Sequence, residues 1–257
     1  MRVTIHNVGH GLCVSLIHDN GNVMLWDCGH IEENPPSKFL RSEGIRIINR
    51  FFVTNYDEDH ISDLPNLRDK LSISILIRNK SISANELGYL KLNSGPISPA
   101  MESMLGMIRD YCSPVTNSPE FPGVEYKTFH NRYEIDFNDT NNISLVTFLK
   151  FSGNCLIIPG DLEVSGWRKL LEKDDFRREL MNVSYLVASH HGRENGYCAE
   201  VFDYCKPKAV IFSDSGIKYA TQEMASIYSR LASGVQFNGE KRFVLSTRKD
   251  GSIYWDV

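Results

Sequence analysis

Three short clusters in this 257-residue chain carry the side chains that bind divalent cations, and each follows an apolar run. Asp57, Asp59 and His60 come just after residues 47–54, Gly160-Asp161 after 154–159, and His190-His191-Gly192 after 183–188. A fourth acid, Asp27, closes the run 22–27. Any one of these has a dull explanation, because Asp and His are common in turns and caps and an acidic stretch is usually a solvated loop. Three clusters at the ends of core strands are harder to dismiss, since loops on a rigid scaffold are where function concentrates. Carboxylate and imidazole together point to metal-assisted chemistry.

The elements that must position them follow from pattern and punctuation. Residues 2–7, 12–18 and 22–27 read as strands, with Asp19-Asn20-Gly21-Asn22 as the turn of a hairpin. Residues 47–54 form another strand. A short helix spans 62–71, with Leu64, Leu67 and Leu71 on one face, and an amphipathic helix spans 99–111. The prolines at 114, 119 and 122 make 113–123 a surface loop. Strands 143–151 and 154–159 follow, then helix 163–172, strand 183–188, helix 196–205, strand 209–213 and helix 221–231. Strands near 242–247 and 252–257 end the chain. A strand meander followed by strand–helix alternation implies an α/β fold with two packed mixed sheets between helices.

A hydrophobic share of 42% supports one extensive core, and 23% charged residues is ordinary for a globular chain. The net charge of −4 argues against a protein that grips nucleic acid through a broad basic surface. It leaves room for one that meets phosphate through bound cations. No apolar stretch approaches the roughly 18 residues that span a bilayer, and the N-terminus lacks a signal-peptide run. The six cysteines are scattered without a Cys-x-x-Cys pair, as buried thiols in a reducing compartment would be. The expectation is a soluble cytoplasmic protein with no membrane partner.

The clusters also resemble a known family. Thr54-Asn55-Tyr56-Asp57-Glu58-Asp59-His60 is similar to the Thr-His-x-Asp-x-Asp-His signature of the metallo-β-lactamase-fold domain of ComEC-type DNA-uptake proteins. Asn7-Val8-Gly9-His10-Gly11 resembles its Val-Gly-Gln-Gly opening, and Leu25-Trp26-Asp27-Cys28-Gly29 its Asp-x-Gly strand end. The hairpin from Ser144 to Gly160-Asp161 and the Ser189-His190-His191-Gly192 stretch match in order and approximate spacing. The likeness runs from residue 3 to the C-terminus as a single domain, 1–257, and is weakest over 75–130. It implies a metallo-β-lactamase αββα sandwich. Asn55 replaces a histidine of the superfamily, Ser62-Asp63 replaces a glycine pair, and Thr221 stands where many relatives have another histidine.

Carried over residue by residue, the resemblance implies that Asp57 serves one metal, Asp59 and His60 another, and that Asp161 bridges them. His190 or His191 completes a shell; because adjacent residues on an extended chain point apart, both should not bind one ion. His190 is taken as the ligand, and His191 is placed with Asp59 and His60 in catalysis. Asn55 offers an amide oxygen as an extra donor, and His10 and His30 lie in loops able to supply a substitute. Asp27 is expected to support a ligand by hydrogen bonding. Carboxylate-rich donors favour two Mn²⁺ ions, with Zn²⁺ or Mg²⁺ as alternatives. Such ions lower the pKa of a bound water and polarise a phosphoryl oxygen. Arg193 and Lys218 are candidates for holding phosphate. The reading is a metal-dependent phosphodiesterase, a nuclease acting on DNA, with protein partners unspecified. The alternatives are a hydrolase of another phosphoester or cyclic nucleotide, and a non-catalytic binding module on the same fold.

Overall fold

The computed structural model describes residues 1–257 except 31–33 and 216–220, and for 221–223 only the backbone. Two six-stranded sheets face each other. The first has the spatial order Ile253–Asp256, Arg2–Ile5, Val14–Ile17, Val23–Trp26, Arg50–Phe52, Leu76–Ile77. The second runs Val244–Ser246, Ala209–Phe212, Tyr185–Val187, Asn154–Ile158, Val146–Phe151, Val124–Phe129. Each combines an antiparallel meander with a parallel half.

Alternation along the strands sorts side chains into three apolar layers. Met24, Trp26, Leu156, Ile158, Ala209 and Ile211 fill the space between the sheets. Their neighbours Leu25 and Phe51 face outward onto a helical layer built from Leu64, Leu67, Leu87 and Met104. Cys155, Ile157, Val210 and Phe212 face the opposite helical layer, with Trp167, Phe176 and Tyr228. Helix, sheet, sheet, helix is therefore the architecture. Residues 75–130 are woven into it. They supply an edge strand to each sheet and the helices Ala84–Leu92 and Pro99–Asp110 on the first sheet's outer face.

Two expected elements differ. The strand expected over 47–54 is split into Ile47–Ile48 and Arg50–Phe52, because Asn49 turns its side chain inward to accept the Val23 amide at 2.7 Å. The helix expected over 196–205 is instead two 3₁₀ turns, Glu194–Gly196 and Ala199–Asp203. There Gly196 runs so close to the Ser189 carbonyl that a Cβ would lie 2.4 Å from it, which leaves no room for a helical side chain. Five of the six cysteines are buried and none is bridged. Among the described residues, no helix is long and apolar enough to cross a membrane.

The parallel halves matter most for function, because their carboxyl ends gather at one rim. Asp27 follows Val23–Trp26, Asp59-His60 follows Arg50–Phe52, Asp161 follows Asn154–Ile158, and His190-His191 follows Tyr185–Val187. The Asp59-His60 segment docks by its backbone: Leu12 donates to the Asp59 carbonyl at 3.0 Å and Cys28 to the His60 carbonyl at 2.8 Å. Gly29 lies against it, and a Cβ there would fall 1.6 Å from the Asp59 carbonyl oxygen. Gly29→Ala must push the segment away, and should cost about 3 kcal/mol by overpacking. A urea midpoint unchanged from wild type would show that the docking is loose and this account mistaken.

Candidate metal centre

Asp27 is fully buried in a left-handed conformation (φ 56°), which turns its carboxylate back under the next loop. One oxygen accepts the Thr54 amide at 2.7 Å, and the other accepts the Thr54 hydroxyl and the Nδ1–H of His60, the latter at 2.7 Å. That contact orients the His60 ring, so Nε2 faces Asp161, whose Oδ1 lies 2.9 Å away. The ring of His60 is fully buried. Burial pulls its basicity down, but the carboxylates of Asp161 and Asp27 outweigh this and raise it well above the usual histidine value.

His191 is oriented in the same manner by a different partner. Its Nδ1–H donates to the Ser213 carbonyl at 2.8 Å, at the end of the neighbouring parallel strand. Nε2 then faces Asp59 Oδ2 at 3.2 Å and Asp161 Oδ1 at 3.6 Å, and makes no hydrogen bond of acceptable geometry. Burial lowers this imidazole and the Asp161 and Asp59 carboxylates raise it, with a net upward shift. The carboxylates move the other way. Burial would raise Asp161, but His60 and His191 hold it at about 2. Asp59 is likewise depressed, with burial opposed by His191 and His60. Two carboxylates and two imidazole nitrogens converge on one space, where the carboxylates favour positive charge.

The donor atoms of Asp59, His60, Asp161 and His191 all lie within 4.8 Å of one another. Three of the four residues are buried and only Asp59 is partly exposed. An unpartnered, buried His191 Nε2 aimed at two carboxylates fits a divalent cation, and the mixed nitrogen and oxygen donors suit such an ion.

The remaining expected residues lie around this set. His190, expected as the ligand, falls outside this set of four. Both histidines are left-handed (φ 51° and 54°) in a tight turn rather than extended, and the two rings bond to different partners. His190 Nε2 accepts from the Arg193 guanidinium at 2.9 Å and stands 3.8 Å from Asp161. His191, placed on the catalytic side, supplies the inward-facing donor. Asp57 bonds to Lys91 and to the Thr140 hydroxyl, the latter at 3.0 Å. Asn55 directs its amide nitrogen at Asn141 (3.0 Å) and Ser144 (3.4 Å), and its oxygen accepts the Asp57 amide at 2.9 Å.

Arg193 also donates to His10 at 3.1 Å, and His10 reaches to 3.5 Å of Asp59. His30 bonds to Ser62 at 2.9 Å, outside the donor set. Lys218 lies outside the described residues, as does the side chain of Thr221. Sequence reasoning passed over Thr54, the Ser213 carbonyl, Lys91 and Glu163. Glu163 Oε1 stands 3.7 Å from His190 Nδ1 and accepts from Asn195 and Asn141. Its position two residues after Asp161 was the only available signal.

No family model matches this sequence, and no curated protein matches it. Solved structures do. Zinc-bound PqqB from Methylobacterium extorquens aligns over the whole of both chains at 14% identity, with a TM-score of 0.52. CmlA, a diiron β-hydroxylase from Streptomyces venezuelae, aligns over 99% of this chain at 12% identity and a TM-score of 0.54, and the chain spans 54% of that protein. A Thermotoga maritima protein assigned to the metallo-β-lactamase superfamily aligns over 96% of this chain and 98% of its own, at 12% identity and a TM-score of 0.46. Such identities speak for the fold alone. The chain has the metallo-β-lactamase fold, an αββα sandwich of two mixed sheets.

Proposed function

We propose that this chain is a metal-dependent hydrolase of phosphodiesters, acting on nucleic acid and on DNA in particular. The observation that carries the reading is the unpartnered Nε2 of His191, which faces Asp59 and Asp161 with His60 opposite. Asp59, His60, Asp161 and His191 would hold the ion, with Mn²⁺ favoured over Zn²⁺ by the two carboxylates. A divalent cation supplies Lewis acidity and a lowered water pKa, which suits hydrolysis near neutral pH.

The chain's own residues do the rest. Asp27 and the Ser213 carbonyl hold the two imidazoles in one tautomer, so that neither ring must reorient during turnover. Asp59, the partly exposed member of the set, faces the mouth and is placed to orient a water. Arg193 and His10 lie beside it, and the guanidinium fork suits a non-bridging phosphate oxygen. The negative net charge supports local engagement of phosphate at this mouth rather than along a broad surface. The likeness of the Asp57–His60 motif to DNA-uptake domains favours DNA over other phosphodiesters.

Three outcomes are expected. Mn²⁺ at a hundredfold over its Kd should stabilise the stripped protein by about 2.7 kcal/mol, a rise of roughly 5–10 °C in melting temperature. Asp161→Ala should abolish this rise, and a melting curve indifferent to metal would count against the whole reading. Asp27→Asn should leave the fold intact and weaken metal affinity about 10- to 100-fold, measured by calorimetric titration, because the His60 ring loses its anchor. Arg193→Ala should raise KM for plasmid or single-stranded DNA by roughly tenfold. Turnover of bis-nitrophenyl phosphate with none of DNA or RNA would move the assignment to small phosphoesters.

A further inference from the structure

We infer that this centre holds a single metal ion, because the described residues bring one set of four donors together and Lys91 and Arg193 are bound to the flanking donors Asp57 and His190. The inference rests on the metal-centre reading above and sharpens it. Beyond the four converging donors, the clusters at this rim offer Asp57, Asn55 and His190. Asp57 and Asn55 are engaged elsewhere, and His190 is engaged at Nε2, while its Nδ1 lies 3.7 Å from Glu163 Oε1, which accepts from Asn141 and Asn195.

Asp57 is bound by the Lys91 ammonium, which reaches it from the helix Ala84–Leu92, and by the Thr140 hydroxyl at 3.0 Å. The Lys91 side chain is only 20% exposed, so its charge is held in place against Asp57 and not waving in solvent. Asn55 spends its oxygen on the Asp57 amide at 2.9 Å and its nitrogen on Asn141 and Ser144. His190 Nε2 accepts from the Arg193 guanidinium at 2.9 Å. Arginine keeps its proton at any ordinary pH, so this nitrogen is released only if a charged, half-buried group moves.

Charge balance agrees. Asp59 and Asp161 carry two negative charges, which one dication neutralises, and Asp57 is already neutralised by Lys91. A second dication would sit beside an ammonium and a guanidinium, with Glu163, already accepting from Asn141 and Asn195, as the carboxylate beside His190, at a Coulomb cost. Lys91 and Arg193 thus stand in for the positive charge that a second ion would bring.

Metal counting decides the matter. The full-length protein is stripped with chelator, loaded separately with Mn²⁺ and with Zn²⁺, dialysed, and its metal content measured by mass spectrometry. One ion per chain is expected in the wild type. Asp57→Asn and Lys91→Arg, checked for folding by their melting curves, should also hold one ion, whereas His60→Ala should hold none. Two ions in the wild type, falling to one in Asp57→Asn, would overturn the single-ion inference and leave the hydrolase reading standing. A wild type that binds no ion would overturn both. The wild-type count decides by itself if a variant fails to fold.

Discussion

The imidazole of His60 lies between the carboxylates of Asp27 and Asp161, at 2.7 and 2.9 Å, and all three groups are buried. Asp27 ends a strand of the first sheet and Asp161 follows a strand of the second, so this polar chain crosses from one sheet to the other. Buried charge of this kind is tolerated only when its partners are placed well. The Thr54 amide and hydroxyl complete the shell of Asp27, and the Ser144 hydroxyl accepts the Asp161 amide at 3.2 Å. Every other site residue is arranged around that constraint. Asp59 is the neighbour of His60, and His191 is aimed by Ser213 at the same Asp161 oxygen that His60 meets.

Backbone strain collects at the same rim. Among the described residues, six other than glycine have positive φ, and Asp27, His190 and His191 are three of them. Such conformations persist only where surrounding structure enforces them. Here the enforcement is visible. Gly192, which ends the histidine turn, lies so close to Phe212 that a Cβ would stand 2.0 Å from the ring. Gly160 turns against Thr54 at 2.9 Å in the same sense. The loops are pressed onto the carboxyl ends of the parallel strands, which makes a rigid mount for the imidazoles.

The residues at which the chain departs from the signature it resembles have structural work of their own. Asp63, in place of a glycine, is fully buried and accepts the Ser37 amide at 2.6 Å and the Asn66 amide group at 3.0 Å. Ser62 accepts from the His30 amide at 3.0 Å. Asn55, in place of a histidine, ties the motif loop to Asn141 and Ser144. Hydrogen bonds thus fix this stretch of chain, and the donor set beside it is a compact group of four.

Much of this was legible in the order of the chain. Strand alternation such as Met24-Leu25-Trp26 and the polar residues after each strand determined the layered fold and the rim on which Asp27, Asp59, His60, Asp161 and the histidine pair would meet. These are local properties, set by side-chain period and by turn chemistry. Which of His190 and His191 faces inward was not local. It depends on two successive left-handed residues and on a carbonyl 22 positions away at Ser213. The partner of Asp57 likewise comes from Lys91, 34 positions on, in a helix whose pattern carries no mark of the site. Tertiary packing alone decides such contacts, because a charge finds its partner through space and leaves no period in the sequence.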